Sequence, residues 1–346
     1  MEWRKAIAFL LPVSWPCVAA VVGLFSAAPA ASVVRSEAGL EVIATGVLRP
    51  LQVAIDHDAL VVLGPGAGGD LAGEIHRVDL SGGLPVDLTR QPRTGIPFAD
   101  AQMSTLGSMA LEPTTGDLFL GEENGTAIYR LSRHRLSRYT TGLHRLVGGS
   151  SLSFDRLGRL ILLDYADPLL SRREDSPPGL EELREEDYRG PLVLRLVLDP
   201  EMPLPRRLGQ VAPVFPRLWG GRTGGGLLPH LIAVAAVDTG DLVFVSSTGE
   251  LHRLAPDGTF TGFARLPHGF YNRISMVAGP DGSVFVSGGF HVPRIFRVSS
   301  GGAVTVLADD LADPEGIAID ARGDLYIAES SLHRIVRLRA LKHRGG

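Results

Sequence analysis

Cysteine is almost absent: the 346-residue chain has one, Cys17. It lies in an N-terminal apolar stretch that reads as a leader, so the mature chain carries no thiol. Disulfide staples, thiolate catalysis and cysteine-held zinc or haem are thereby excluded. A Lys/Arg-rich block is also lacking, and 34 basic against 38 acidic residues give a formal charge of −4. Nucleic acid and anionic membrane surfaces therefore have no electrostatic footprint to meet. Hydrophobic residues at 45% and charged residues at 21% exclude disorder for the bulk of the chain. Abundance lies instead in 42 glycines and 24 prolines, about one residue in five against a usual ~12%. Glycine does not recur at every third position, so collagen is excluded and a protein of many short elements remains. Length alone allows about two domains.

Residues 1–30 read as a secretory signal. Arg4 and Lys5 precede an apolar run from Ala6 to Phe25, and Ala28-Pro29-Ala30 supplies the small residues of a cleavage site after Ala30. An uncleaved anchor is the other reading, since Ala6 to Val34 is uncharged, but Pro12, Pro16 and Pro29 interrupt it. The chain is thus expected to be exported, periplasmic or extracellular, with 31–39 as a linker and 341–346 as a tail.

Two patterns repeat. A turn followed by an apolar strand recurs as Gly116-Asp-Leu-Phe-Leu, Gly158-Arg-Leu-Ile-Leu, Gly240-Asp-Leu-Val-Phe, Gly282-Ser-Val-Phe-Val and Gly323-Asp-Leu-Tyr-Ile, with a degenerate copy at Asp58-Ala-Leu-Val-Val. An aliphatic-x-Arg-aliphatic strand recurs around Arg77, Arg130, Arg195, Arg253, Arg297 and Arg337. Both patterns have six copies, and a spacing of ~40 to 50 residues with four short strands per unit is that of a propeller blade. The expectation is an all-β, six-bladed β-propeller over 40–340, one domain despite its length, with an inserted flap at 165–190.

The chain ends on the third strand, C, of the sixth blade. Residues 40–56 align without a gap to 304–320, which hold a fourth strand, D, and the next blade's first strand, A. The strand at 40–44 is therefore expected to complete blade six and close the ring, removing the edge an open array exposes. A closed ring needs no partner, so a monomer is expected.

The run from Pro314-Glu-Gly-Ile-Ala-Ile-Asp through Gly323-Asp-Leu-Tyr-Ile-Ala-Glu to His333-Arg-Ile-Val-Arg-Leu resembles an NHL repeat. The same six-bladed superfamily holds the senescence-marker protein/gluconolactonase group, strictosidine-synthase-like proteins and paraoxonases. It includes both metal-dependent lactone hydrolases and scaffolds without catalysis, so the resemblance speaks to fold and leaves the reaction to the site.

In such a blade the A–B and C–D turns lie on one face, and the B–C and D–A connections on the other. The long segments, Gly64 to Gly73, Tyr165 to Gly190, Arg90 to Thr105, Leu218 to His230 and Pro267 to Arg273, are all assigned to the second face, where loops free to vary carry function. Ser171 to Arg189, with seven acids and four arginines, reads as a solvated flap or a lid. Gly220 to Gly226 is glycine-rich but lacks the Gly-Lys-Ser/Thr ending of a phosphate loop.

Strand A lines the channel, and its aligned first positions are Leu51, Gly107, Ser150, Ala233, Ile274 and Glu315. In sugar lactonases of the resembling group a divalent cation sits on this axis, held by oxygens from several blades; here Glu315 alone is ionisable. The ends of the B strands add Glu122, Asp164 and Glu329, with Glu123 and Asn124 beside the first. These acids either brace their loops through backbone N–H groups or converge with Glu315 and Asn272 on calcium or another divalent cation. Glu315, Glu329 and Asp164 are then the catalytic candidates, and Glu315, Glu122, Asp164 and Glu329 the metal ligands. Asn272, Arg273, Tyr271, His291, His230 and Ser150 are candidate binding residues on the same face, near His268 and Phe290. His76 and His252, in the variable place of the C-strand motif, and the six repeated arginines read as structural.

Three readings follow. The first is a binding propeller that presents its loop-rich face to a small molecule or protein. The second is a metal-dependent lactone or ester hydrolase, and the third a quinone-dependent sugar dehydrogenase, for which no matching His/Arg constellation is found.

Overall fold

The computed structural model describes residues 32–33, 39–66, 69–99, 101, 103–123, 125–141, 149–164, 192–198, 204–207, 212–213 and 231–340. The leader, the flap at 165–190 and the Gly220 to Gly226 run lie outside the described residues. Six sheets form, each led by an innermost strand with a partner on one side. The A strands are Gln52–Asp56, Leu106–Leu111, Leu152–Phe154, Leu231–Ala236, Met276–Ala278 and Pro314–Ile319. The B strands are Ala59–Gly64, Leu118–Glu122, Leu160–Asp164, Leu242–Ser246, Val284–Ser287 and Leu325–Glu329. C strands follow at Leu71–Asp79, Ile128–Ser132, Leu192–Leu196, Glu250–Leu254, Ile295–Val298 and Arg334–Leu338. Arg93–Pro97, Arg135–Thr141, Ala212–Pro213, Phe260–Arg265 and Val304–Ala308 are the first five D strands.

The sixth D strand is Glu41–Thr45, paired antiparallel to the last C strand with Glu41 opposite Arg337 and Thr45 opposite Arg334. The ring therefore closes as the alignment of its two ends requires. The protein is a six-bladed β-propeller.

B strands are buried on both sides because a blade packs on each face; Leu118–Glu122, Leu242–Ser246 and Leu325–Glu329 are buried throughout. This is why they read as unbroken apolar runs. Six core clusters form, one at each junction between neighbouring blades. The cluster containing Ile43, Leu60, Tyr326 and Ile335 joins the first blade to the last. The glycine before each repeated B strand, such as Gly240 at φ +89°, takes the left-handed conformation of a tight turn. In blade one His57 occupies that place at φ +54°.

All six repeated arginines are ion-paired. Arg77 meets Asp56 at 2.6 Å, Arg195 meets Asp155 at 3.6 Å and Arg253 meets Asp241 at 3.7 Å. Arg130 pairs with Asp117, Arg297 with Asp281, and Arg337 with Glu41 at 2.7 Å. The first five fasten strand C to the end of strand A or to the A–B turn, and Arg337 fastens strand C to the closing strand D. His76 is buried against Glu74 at 3.1 Å and His252 stacks on Phe260, so both are packing residues as read.

One expectation is corrected. The Arg90 to Thr105 segment is not a free D–A loop, because it contains the D strand Arg93–Pro97. The long connection in blade one is C–D, on the opposite face, and it carries Val86–Asp87, which pairs in parallel with Ala44 and Thr45. The C–D connection of blade three likewise pairs Arg206 and Arg207 in parallel with Thr140 and Thr141. Ser32–Val33, within the expected linker, does the same to Thr305 and Val306. The physical reason is shared: D strands are outer edges, and a short parallel fifth strand covers their unpaired groups.

Candidate functional site

At the level where the A strands begin, the channel is stoppered. The Ser150 N–H donates to the Ile274 carbonyl at 3.1 Å, joining blade three to blade five, and Gly149 N–H donates to Gly107 at 3.0 Å. A side chain at Gly149 would put its Cβ 2.1 Å from the Ile274 oxygen, which is why this position is glycine. Ser150 Oγ lies 2.7 Å from Ser275 Oγ and accepts the Met276 N–H at 2.9 Å. Ser275 Oγ in turn donates to Gln52 Oε1 at 3.3 Å. Ser287 Oγ accepts from Ser275 N–H at 2.7 Å and donates to the Glu315 carbonyl at 2.6 Å. Ser150, a candidate binding residue, is thus part of a buried network of four blades.

Glu315 lies beside this network and is 2% exposed. The Ser330 hydroxyl hydrogen-bonds its carboxyl group, while Oε1 has no partner among the described residues. Burial pushes its pKa up to about 7, against the pull of Ser330, Arg273 and Arg49 and with a small push from Glu123. Arg273 Nη2 is held 2.5 Å from Glu123 Oε1. The Arg273 backbone adopts φ +52°, a left-handed conformation unusual for a non-glycine residue. Asn272 bridges Gly289, Phe290 N–H donates to the Asn272 carbonyl at 3.2 Å, and Gly289 N–H donates to Pro314 at 2.9 Å. Residues from blades two, five and six therefore meet at one mouth.

The carboxylates of two other candidates are engaged by partners of their own. Glu122 accepts the Thr126 and Ala127 N–H groups at 2.9 and 3.2 Å and the Tyr129 hydroxyl at 2.9 Å. Glu329 accepts Ala312 N–H at 3.0 Å and Arg334 Nε at 2.6 Å. Both acids brace their own loops. Among the described residues no group of three or more His, Cys, Asp or Glu side chains is placed to hold a metal ion. Of the two readings given for Glu122 and Glu329, loop bracing is the one their hydrogen bonds match. Tyr271 is buried, donates its hydroxyl to Pro267 at 2.6 Å and is pushed to about 12 by that burial. It supports the wall of the site from inside the core. His291 is exposed between Phe270 and Phe290, 5.5 and 5.0 Å between ring centres, and His268 is exposed nearby. Asn124, His230 and the Asp164 side chain lie outside the described residues.

Gln52, Ser275, Ser287, Ser330 and Arg49 are not among the candidates read from the sequence. Ser275 directly follows the aligned position Ile274 and Gln52 follows Leu51. Register shifts occur in the A strands beginning at Leu106, Leu231 and Pro314 but not in those of blades one and five, so aligned positions of different blades do not all face the axis alike. A gap-free alignment of the blades carries no signal for that.

No family model matches the chain, and no curated protein matches it in sequence. Solved structures do match in fold. A gluconolactonase from Xanthomonas campestris is 15% identical with a TM-score of 0.54, covering 87% of this chain and 89% of that one. Regucalcin from Agrobacterium tumefaciens, a calcium-binding protein, is 11% identical with a TM-score of 0.54, covering 89% and 95%. Virginiamycin B lyase from Staphylococcus aureus is 14% identical with a TM-score of 0.53, covering 88% and 86%. The chain shares the six-bladed fold of these proteins.

Proposed function

We propose that this protein opens lactone or ester bonds at its loop-rich mouth, with Glu315 transferring the proton. The observation that carries the reading is the Glu315 carboxyl: buried, with one oxygen unpartnered among the described residues and a pKa of about 7. A carboxylate poised near neutrality can take a proton from water as that water attacks a carbonyl carbon, then return it to the departing alcohol oxygen. Arg273, oriented by Glu123, supplies positive charge where the carbonyl oxygen becomes an oxyanion. Similarity in fold to a gluconolactonase supports this reaction class.

A divalent cation, suggested by the fold of regucalcin, does not fit the described residues. Hard cations need six to eight oxygen ligands, yet the oxygens of Glu122 and Glu329 already accept hydrogen bonds and an arginine faces Glu315. The activity is therefore read as independent of calcium. The burial of Glu315 at 2% exposure favours the second reading, a non-catalytic binding propeller. In either case the chain is taken as exported and monomeric, its leader supplying the address and its closed ring leaving no blade unpaired.

The test is hydrolysis of a panel of lactones and aryl esters with EDTA or calcium present. Turnover unchanged by EDTA and lowered by about 10²-fold or more in Glu315→Gln supports the reading. Turnover that requires calcium, or that survives Glu315→Gln, overturns it. Saturable binding without turnover establishes the binding propeller.

A further inference from the structure

Beyond the serine stopper the channel holds a cavity of about 270 Å³ lined by the A strands of all six blades. Gln52, Ser150 and Ser275 close one end and are buried, while Phe154, Ala236 and Ile319 at the other end are part-exposed. The cavity therefore opens where the A strands finish, on the A–B turn face, away from Glu315. None of its lining residues is ionisable. The acids just past its rim are engaged, Asp56 by Arg77, Asp155 by Arg159 and Asp320 by Arg322. Each A strand is the end strand of its sheet, so its unpaired backbone edge turns N–H and C=O groups toward the axis.

We propose that this cavity is a second binding site, for a small uncharged polyhydroxylated molecule of about monosaccharide size. Charge is excluded because no counter-charge lines the walls, and an unpaired buried ion is costly. A purely apolar ligand is excluded too, because it would leave the strand edges without hydrogen-bond partners. Hydroxyl groups both donate and accept, which suits edges that alternate N–H and C=O and an end wall of two serines and a carboxamide. The volume equals about nine waters at ~30 Å³ each, and a polyol that reproduces their hydrogen bonds can displace them without loss. Ser275 donates to Gln52 Oε1, leaving the Gln52 amino group to donate to the ligand.

The probe is myo-inositol, titrated into the full chain by ligand-observed NMR, with gluconate as an anion of similar size. Saturable one-to-one binding is expected, with no competition from gluconate. Ala236→Phe places a ring at the part-exposed rim and is expected to weaken binding at least about tenfold; Ala278→Phe, on the next blade, serves if the first variant does not fold. Arg273→Ala, at the other mouth, is expected to leave binding unchanged. No saturable binding, equal binding of gluconate, retention in the folded plug variant, or loss in Arg273→Ala each overturns the proposal. None of these binding outcomes bears on the hydrolysis proposed for the Glu315 mouth, which Arg273→Ala is itself expected to lower.

Discussion

Ser150 Oγ lies 2.7 Å from Ser275 Oγ although 125 residues separate them, so one hydrogen bond spans the channel axis from blade three to blade five. Both serines are buried. Removing either hydroxyl strands a partner: Ser150→Ala deprives the Met276 N–H of its acceptor. Each alanine variant is expected to lose roughly 1 to 3 kcal/mol. The double variant is expected to lose less than the sum, since the shared bond is counted once. Denaturant unfolding of the four proteins checks this; strict additivity would mean the bond does not couple the blades.

Gly149→Ala is expected to be among the most damaging single changes. Its Cβ would meet the Ile274 oxygen at 2.1 Å, and the residue sits at φ +102°. Backbone strain alone costs roughly 1 to 3 kcal/mol, and the clash adds to it. A folded variant with an unchanged melting temperature would contradict the stopper geometry.

Ring closure can be tested at Glu41, which accepts from Arg337 at 2.7 Å and from Arg339 at 2.9 Å. These bonds hold its pKa below the usual carboxylate range. Glu41 is 37% exposed, so solvent screens the pair, and Glu41→Gln is expected to cost about 1 kcal/mol or less. Deleting residues 1–46 is expected to abolish the soluble monomer, because it strips the last C strand of its neighbour. Size-exclusion chromatography distinguishes the two effects.

Glu315 predicts a pH dependence of known sign. Its pKa is raised in the folded chain, from 4.5 to about 7, so the native state holds a proton that the unfolded chain has released. Its contribution to stability is fully present below about pH 4.5 and is lost as pH rises through about 7. The loss is of the order of 3 kcal/mol. Glu315→Gln is expected to flatten that part of the stability profile; an unchanged slope would remove Glu315 as its source.

Calcium is expected to leave the melting temperature unchanged. A ligand that binds only the native state raises stability in proportion to the logarithm of its concentration over Kd, so a site that holds calcium would show a shift at millimolar concentration. Glu122→Gln is expected to lower the melting temperature with or without calcium, because the carboxylate braces Thr126, Ala127 and Tyr129.

Architecture was legible because it is written locally and repeatedly. A turn glycine followed by an apolar strand, and an aliphatic-x-Arg-aliphatic strand, are each a pattern of a few residues. Six copies and an unfinished last blade then require closure by residues 41–45, since hydrogen-bonding edges must be satisfied. The parallel strand at Val86–Asp87 was not legible: two residues carry no periodicity, and their pairing with Ala44 and Thr45 exists only once the ring has closed.

The candidate site divides along the same line. Sequence by itself determined that Glu315 is the ionisable residue at the start of an A strand and that Arg273 lies in a connection on the same face. Tertiary structure alone decided that Glu122 and Glu329 face their own loops, that Tyr271 turns into the core, and that Glu315 keeps an oxygen without a partner among the described residues. It also decided that Ser150 and Ser275 shut the channel between the mouth and the cavity beyond. The reason is physical: fold follows from patterns within a blade, whereas a carboxyl group's solvation and hydrogen bonds depend on residues from other blades that meet only at the axis.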